Sequence, residues 1–277
     1  MKKKAGNRRL GIVGCGAIGS LAARILQKKK TSLKIAALWD ARPEAARKLS
    51  HSLKSRPAVC ESLAQLVSKC DLILEAASVQ AAPLVARAAL KDRKPVILMS
   101  TGGFLLHRRE LTDLARKTQT KIYLPSGALC GLDGVRAARQ GGGFQKLELT
   151  STKPPKGFAG APGLSLSQKK ALLHLRSPLV LYEGNVQGAV KRFPANVNVG
   201  ATLAAASLSP AKLKVRVVAD PGALRNRHEI RAAGAFGELT ALTSNNPSRE
   251  NPKTSALAIH SVLALLERLE SFVEVGN

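Results

Sequence analysis

Arg9–Gly19 reads RLGIVGCGAIG, and Ser20–Lys29 continues it with SLAARILQKK. The opening RLGIVG is a short apolar run, which predicts a strand over 9–14. Ile18, Leu21, Ala22, Ile25 and Leu26 then recur at helical spacing and predict a helix over 17–29. Gly14, Gly16 and Gly19 fit G-x-G-x-x-G at the junction. The first glycine allows a tight turn, the second lets backbone approach a pyrophosphate, and the third permits close helix–sheet packing. Gly14, Gly16, Ala17, Ile18 and Gly19 are therefore the expected phosphate-turn residues, with the helix N-terminus meeting the phosphate charge.

The pattern outward from this turn repeats strand and helix. Leu33–Trp39 (LKIAALW) predicts the next strand and ends at Asp40, 21 residues beyond Gly19. A carboxylate there can accept hydrogen bonds from an adenosine ribose and would repel a 2′-phosphate, which favours NAD. Arg42 stands two residues on, so NADP is also admitted. Pro43 opens a helix where its missing N–H costs nothing. Leu63–Val67 reads as a short helix, Leu72–Ala76 as a buried strand and 79–90 as a helix. Val96–Met99 is a strand, TGG and a helix over 107–118 follow it, and Lys121–Leu124 is a fifth strand. Such alternation with short connections predicts a mostly parallel sheet covered on both faces.

After about residue 130 the character changes. Segments 147–154, 179–184, 214–220, 228–234 and 238–244 are strand-like and separated by turn residues, which predicts a mixed or antiparallel sheet. A Pro/Gly loop covers 155–165, and a helix is expected over 196–208. Residues 254–270 (TSALAIHSVLALLERLE) carry the strongest helical pattern. The fold class is thus α/β, a Rossmann-type parallel sheet plus a second α/β domain. The expected divisions are 1–128 for dinucleotide binding, 129–250 for substrate and dimerisation, and 251–277 for a C-terminal helix packing back on the first domain.

The 277 residues include 44 Lys and Arg against 18 Asp and Glu, a formal charge of +26. Charge of this size draws anions toward clefts and invites non-specific nucleic-acid contact. Clusters lie at Lys2–Lys4, Lys28–Lys30 and Arg225–Arg231, but nine aromatics form no base-stacking array among them. A basic surface around a site for a small anion is the favoured reading. No apolar run reaches membrane-spanning length. Cys15, Cys60, Cys70 and Cys130 match neither a zinc pattern nor a C-x-x-C pair, so no metal site and a reducing, cytoplasmic setting are expected.

His228 is the leading candidate for acid–base chemistry. It sits in ADPGALRNRHEIRAAG among Arg225, Arg227 and Arg231 and is followed by Glu229, which could orient or charge the ring. His51, His107, His174 and His260 fall in or beside helices. Asn196 and Asn198 in RFPANVNVGAT could hold a carboxamide or carboxylate, or cap a helix. PSGALCGLDG (125–134) would let a flat ligand approach the backbone. Lys253 and Thr254, in the polar loop before the last helix, could contact an anion or cap that helix.

GIVGCGAIG, KIYLPSGALCGLDG, LTSTKPP, FPANVNVGATLA, ADPGALRNRHEI and NPKTSALA together resemble the L-aspartate dehydrogenase family, over nearly the whole chain and in the expected order. The resemblance implies a two-domain homodimer that oxidises L-aspartate, a small dicarboxylate, through iminoaspartate to oxaloacetate and ammonia. It implies NAD or NADP as cofactor and a place in pyridine-nucleotide biosynthesis. It also implies His228 as the catalytic histidine, with Ala128 and Asn198 contacting the cofactor. STGGFL after the fourth strand and LYEGNVQGAVKRFP before the proline depart from the family pattern. The alternatives are a dehydrogenase of another amino acid or small dicarboxylate, and a dinucleotide-sensing, nucleic-acid-binding regulator. The regulator leaves the second-half motifs unexplained.

Overall fold

A computed structural model of the chain describes residues 8–194, 198–248 and 255–276. The Lys2–Lys4 cluster, Asn196, Lys253 and Thr254 lie outside the described residues. The chain forms two compact units, one of residues 1–125 and 262–273, the other of 126–261 and 274–277.

The first unit runs β1 (Arg8–Val13), α1 (Ala17–Leu26), β2 (Leu33–Trp39), α2 (Pro43–Ser52), β3 (Ala58–Val59), α3 (Leu63–Lys69), β4 (Leu72–Glu75), α4 (Ala81–Lys91), β5 (Val96–Leu98), α5 (Thr101–Leu106), α6 (Arg108–Thr118) and β6 (Ile122–Tyr123). Its six strands lie in the order β3-β2-β1-β4-β5-β6 and pair in parallel throughout. That order reverses direction between β1 and β4, the switch point where Rossmann-type sheets take their ligands. The central strands are buried on both faces: Leu10 to Val13, all of β4 and all of β5 exclude solvent. This is why they read as continuous apolar runs rather than alternating ones.

Two helices differ from expectation. The first stops at Leu26 because Lys28 and Lys29 have no apolar face to bury, and their N–H groups close tight turns onto Ile25 and Leu26. The TGG stretch, which lies ahead of the expected helix over 107–118, is itself helical. Thr101 to Leu105 are all buried, and a Cβ on Gly103 would stand 2.3 Å from the Val79 carbonyl, so this glycine serves close packing.

The second unit contains α7 (Leu132–Gln140), β7 (Lys146–Lys153), a 3-10 turn (Pro155–Phe158), α8 (Leu166–Leu173), β8 (Leu179–Asn185), α9 (Val186–Arg192), α10 (Asn198–Ser207), β9 (Leu213–Ala219), β10 (Asn226–Gly234) and β11 (Gly237–Asn245). Its sheet is mixed, in the order β11-β10-β7-β9-β8, with β7 and β9 parallel and the other pairs antiparallel. Strict alternation along β7, β9 and β10 puts Leu147, Leu149, Val215, Val217, Ile230 and Ala232 on one buried face.

The last helix, α11 (Ala256–Arg268), passes from the second unit into the first at Val262. From there Val262, Leu263, Leu265 and Leu266 join Leu10, Ile12, Leu38 and Leu74 in one apolar core. No helix among the described residues is long and apolar enough to cross a membrane.

Candidate functional site

In the first unit the glycine turn is built by contact. Gly14 adopts φ +92°, and its N–H donates to the Trp39 carbonyl at 2.9 Å. A Cβ there would stand 2.7 Å from the backbone of Ala76 and Ala77, while one on Gly19 would stand 1.9 Å from the Gly14 carbonyl oxygen. Those two glycines seal the turn against β4 and α1. Gly16 is the opposite case: it is exposed, and a Cβ on it would meet nothing within 4 Å. It stands at the N-cap of α1 with no side-chain cap, and the first turn carries no acidic residue. Ala17 and Ile18 follow it, so the positive end of a ten-residue helix faces open space.

Asp40 is tied to the same turn. One carboxylate oxygen accepts the Cys15 N–H at 2.7 Å and the other accepts the Arg42 N–H at 2.9 Å. A carboxylate has about four acceptor positions, so two remain for ribose hydroxyls. The Arg42 guanidinium is 4.0 Å away and largely exposed. Burial, and then Asp40, raise the Cys15 thiol to about 12, which makes it packing rather than a nucleophile. All four cysteines are free.

Glu75, at the end of β4, belongs to none of the motifs that the sequence marks. It is fully buried, and its carboxylate accepts the Ala77, Ser78 and Ser100 N–H groups and the Ser100 hydroxyl at 2.8–3.1 Å. Burial raises its pKa, against those four hydrogen bonds. One side chain therefore fixes the loops that leave β4 and β5. A glutamate inside the apolar run LILEA was the available signal.

In the second unit the apolar face of the sheet turns polar at one end. Beyond Leu149 the inward residues of β7 are Ser151 and Lys153, and on β10 they are His228 and Asn226. Of the five histidines only His228 is buried; His51, His107, His174 and His260 are exposed. His228 pairs in register with Ser151, whose Oγ lies 3.0 Å from the ring Nδ1. Burial, and then the charge of Lys153, lower the imidazole to about 3 and so keep it neutral. Lys153 is 4% exposed, and burial lowers its ammonium to about 8.

The expected partners of His228 are not the ones it has. Glu229 faces the other side of the strand and is bound to Arg231 at 2.7–2.8 Å. Arg225, Arg227 and Arg231 are exposed. Period-two alternation separates chain neighbours and brings in Ser151 and Lys153 from the adjacent strand instead.

Ala128 is buried in the loop before α7. Its carbonyl accepts the Thr243 hydroxyl at 2.7 Å and the Asn245 amide at 3.2 Å. Thr243 is also the register partner of His228, so β11 links the loop to that strand. Asn198 is the first residue of α10, and its carbonyl accepts the Thr202 hydroxyl at 3.1 Å.

The profile described as "Aspartate dehydrogenase, C-terminal" matches residues 133–269, and "Homoserine dehydrogenase, NAD binding domain" matches 14–125. An L-aspartate dehydrogenase of Methanococcus maripaludis is 40% identical over 97% of this chain and 99% of its own. One from Methanosarcina mazei is 37% identical at the same coverage. The chain belongs to the L-aspartate dehydrogenase family. A crystal structure of aspartate dehydrogenase from Thermotoga maritima aligns with TM-score 0.75 and 25% identity, over 97% of this chain and 99% of that one. An L-aspartate dehydrogenase fold thus carries, in the unit that matches an NAD binding domain, a glycine turn with space at Gly16 wide enough for a phosphate. In the other it carries a buried His–Ser–Lys group.

Proposed function

We propose that the chain catalyses oxidative deamination of L-aspartate through iminoaspartate to oxaloacetate and ammonia, with His228 handling the protons. The observation that carries this reading is the burial of His228 with its ring held by Ser151, within a full-length family match. The bound dinucleotide supplies the hydride acceptor. The substrate gives up hydride from Cα and a proton from nitrogen. Water then adds to the imine carbon, and ammonia leaves. His228 is neutral, the form that accepts a proton from the amine or from the attacking water. Ser151 engages Nδ1, which leaves Nε2 as the working nitrogen.

Gly14, Gly16, Ala17, Ile18 and Gly19 receive the pyrophosphate in this reading, and Ala128 and Asn198 contact the cofactor. Asp40 receives the adenosine ribose, which favours NAD, while the nearby Arg42 also admits NADP. The protein acts as a cytoplasmic homodimer; the free cysteines support a reducing compartment, and the family resemblance supports the dimer.

Spectrophotometric formation of NADH or NADPH, measured across amino acids and 2-hydroxy acids, tests the reading. Turnover is expected with L-aspartate and to be faster with NAD. Turnover of a different substrate with none of L-aspartate would replace the reaction named.

A further inference from the structure

The loop before α7 lies along β11, the strand at the edge of the second sheet. Its contacts follow one another in order. The Ala128 carbonyl accepts the Thr243 hydroxyl at 2.7 Å and the buried Asn245 amide at 3.2 Å. The Cys130 thiol reaches the Leu242 carbonyl at 3.7 Å, and a Cβ on Gly131 would stand 2.8 Å from the Ala241 methyl. On the other side of Ala128, Gly127 takes φ +65° and its N–H donates to the Ser261 hydroxyl at 3.1 Å.

Thr243 joins this loop to the strand that carries His228. It is the register partner of His228, and its hydroxyl lies 3.5 Å from the His228 carbonyl while donating to Ala128. One side chain thus sets the spacing between two stretches of backbone. Two donors on one carbonyl leave that spacing little play, because moving Ala128 away would also cost the buried Asn245 amide an acceptor. Oxidation of an amine makes such spacing matter. The substrate Cα gives hydride to the nicotinamide and, as the imine carbon, then takes the water that His228 activates. Both groups must converge on one carbon, and a misplacement of about 1 Å can cost roughly 10²-fold in rate.

We propose that Thr243, supported by Asn245, is a positioning residue of the reaction: it fixes the Ala128 loop, and with it the nicotinamide end of the cofactor, in register with His228. This rests on the reading of the chain as an L-aspartate dehydrogenase with Ala128 at the cofactor. The hydroxyl proton of Thr243 is committed to the Ala128 carbonyl, so the residue acts through the loop and not on the substrate. The tie to His228 is what assigns Ala128 to the reacting end of the dinucleotide rather than to its adenosine end.

The test uses the full chain with two probes, NADH and ADP-ribose, which lacks the nicotinamide. Thr243→Val keeps the β-branched shape and removes the hydroxyl, while Thr243→Ser keeps the hydroxyl. Kd for both probes is measured by calorimetry, with melting temperature and with kcat and KM for L-aspartate, unlabelled and deuterated at Cα. Thr243→Val is expected to weaken NADH by about fivefold, the scale of one hydrogen bond, and to bind ADP-ribose as wild type does. Its kcat should fall by about tenfold with a larger deuterium isotope effect, since a displaced nicotinamide slows the hydride step. KM should hold, and Thr243→Ser should recover most of both losses. Should the valine variant fail to fold, Thr243→Ala gives the same comparison.

A folded Thr243→Val with wild-type NADH affinity or wild-type kcat would overturn the proposal. Equal weakening of NADH and ADP-ribose, or a serine variant no better than valine, would do the same. If wild type turns over no L-aspartate, a loss of NADH affinity that spares ADP-ribose and is rescued by serine would keep the positioning role and remove the reaction.

Discussion

Ser151 and His228 lie directly opposite each other on antiparallel strands β7 and β10, with Oγ 3.0 Å from Nδ1. Both strands are packed on this face, so the hydroxyl fixes the ring plane without a carboxylate. Removing it by Ser151→Ala frees one hydrogen bond, worth about 1 kcal/mol, and should lower kcat by roughly fivefold to tenfold. KM for L-aspartate should change little, because the serine acts through the ring. His228→Ala removes the proposed proton carrier and should lower kcat by roughly 10²-fold or more, with NAD affinity retained. Steady-state kinetics on the two variants separate these effects. A large rise in KM for Ser151→Ala would make the serine a substrate contact instead.

Burial of the same ring predicts how stability responds to acid. Native His228 stays neutral down to about 3, whereas in the unfolded chain it protonates below its ordinary 6.5. The unfolded state therefore binds the extra proton first. Stability from this group is complete above about pH 6.5 and is lost as pH falls toward 3. Lys153 contributes with the same sign at the alkaline end: its native value of about 8 lies below the ordinary 10.5, so stability rises with pH between the two. Urea midpoints measured at about pH 7 and pH 4.5 should fall further for wild type than for His228→Gln. Equal falls would mean that the native ring is protonated in acid.

Gly16 borders open space and Gly19 packed backbone, three residues apart. Gly16→Ala adds a methyl where nothing lies within 4 Å, at φ −73°, which alanine adopts freely. Melting temperature should stay within about 2 °C, while NAD affinity drops by roughly tenfold as the methyl enters the phosphate space. Gly19→Ala places its Cβ 1.9 Å from a backbone carbonyl, and neither side can yield cheaply. It should cost several kcal/mol of stability, as severe overpacking does. Thermal melts and cofactor titrations on both variants distinguish the two roles.

The first unit was legible because each of its signals is local. Apolar runs, glycine spacing and the acid after β2 lie within about 40 residues of one another, and burial on both faces makes the parallel strands read as unbroken apolar runs. What escaped was decided by packing. Gly102 and Gly103 carry no helical signal but sit in a buried helix, and α7 and α9 are short, with few apolar residues. His228 was legible from its motif, yet its surroundings were not. Chain neighbours Arg227 and Glu229 point away from it, and Ser151 and Lys153 arrive from a strand more than 70 residues earlier. Strand pairing, which composition does not encode, made that group.

Glu75 gives a sharper test of carboxylate chemistry than any surface ion pair. Its two oxygens face four donors, three from backbone and one from Ser100. Glu75→Gln keeps the shape but turns an NH2 toward N–H or O–H groups, leaving buried donors unmatched at about 1–3 kcal/mol. Melting temperature should fall, and NAD affinity with it, because both loops at the ends of β4 and β5 lose their anchor. Differential scanning calorimetry and a cofactor titration check this. An unchanged melt would show that the group is protonated and already donating.

Asp40 does two things at once, which decides how its variants should be compared. Its carboxylate holds the Cys15 N–H at 2.7 Å and so shapes the glycine turn, and it offers further acceptor positions to a ribose. Asp40→Ser removes the negative charge and shortens the side chain, so both contacts weaken. Asp40→Asn keeps one carbonyl oxygen for Cys15 and removes the charge together with the acceptor that takes the Arg42 N–H. NAD affinity should therefore fall in both, more in the serine variant, whereas NADP should lose less or gain, since the repulsion of its 2′-phosphate is gone and Arg42 stands 4.0 Å away. A change of roughly tenfold in the NAD/NADP ratio is expected for Asp40→Asn, the size of one charged hydrogen bond lost. Kd values for both dinucleotides by fluorescence titration give that ratio directly. If both weaken equally, Asp40 serves the turn alone and the ribose is read elsewhere.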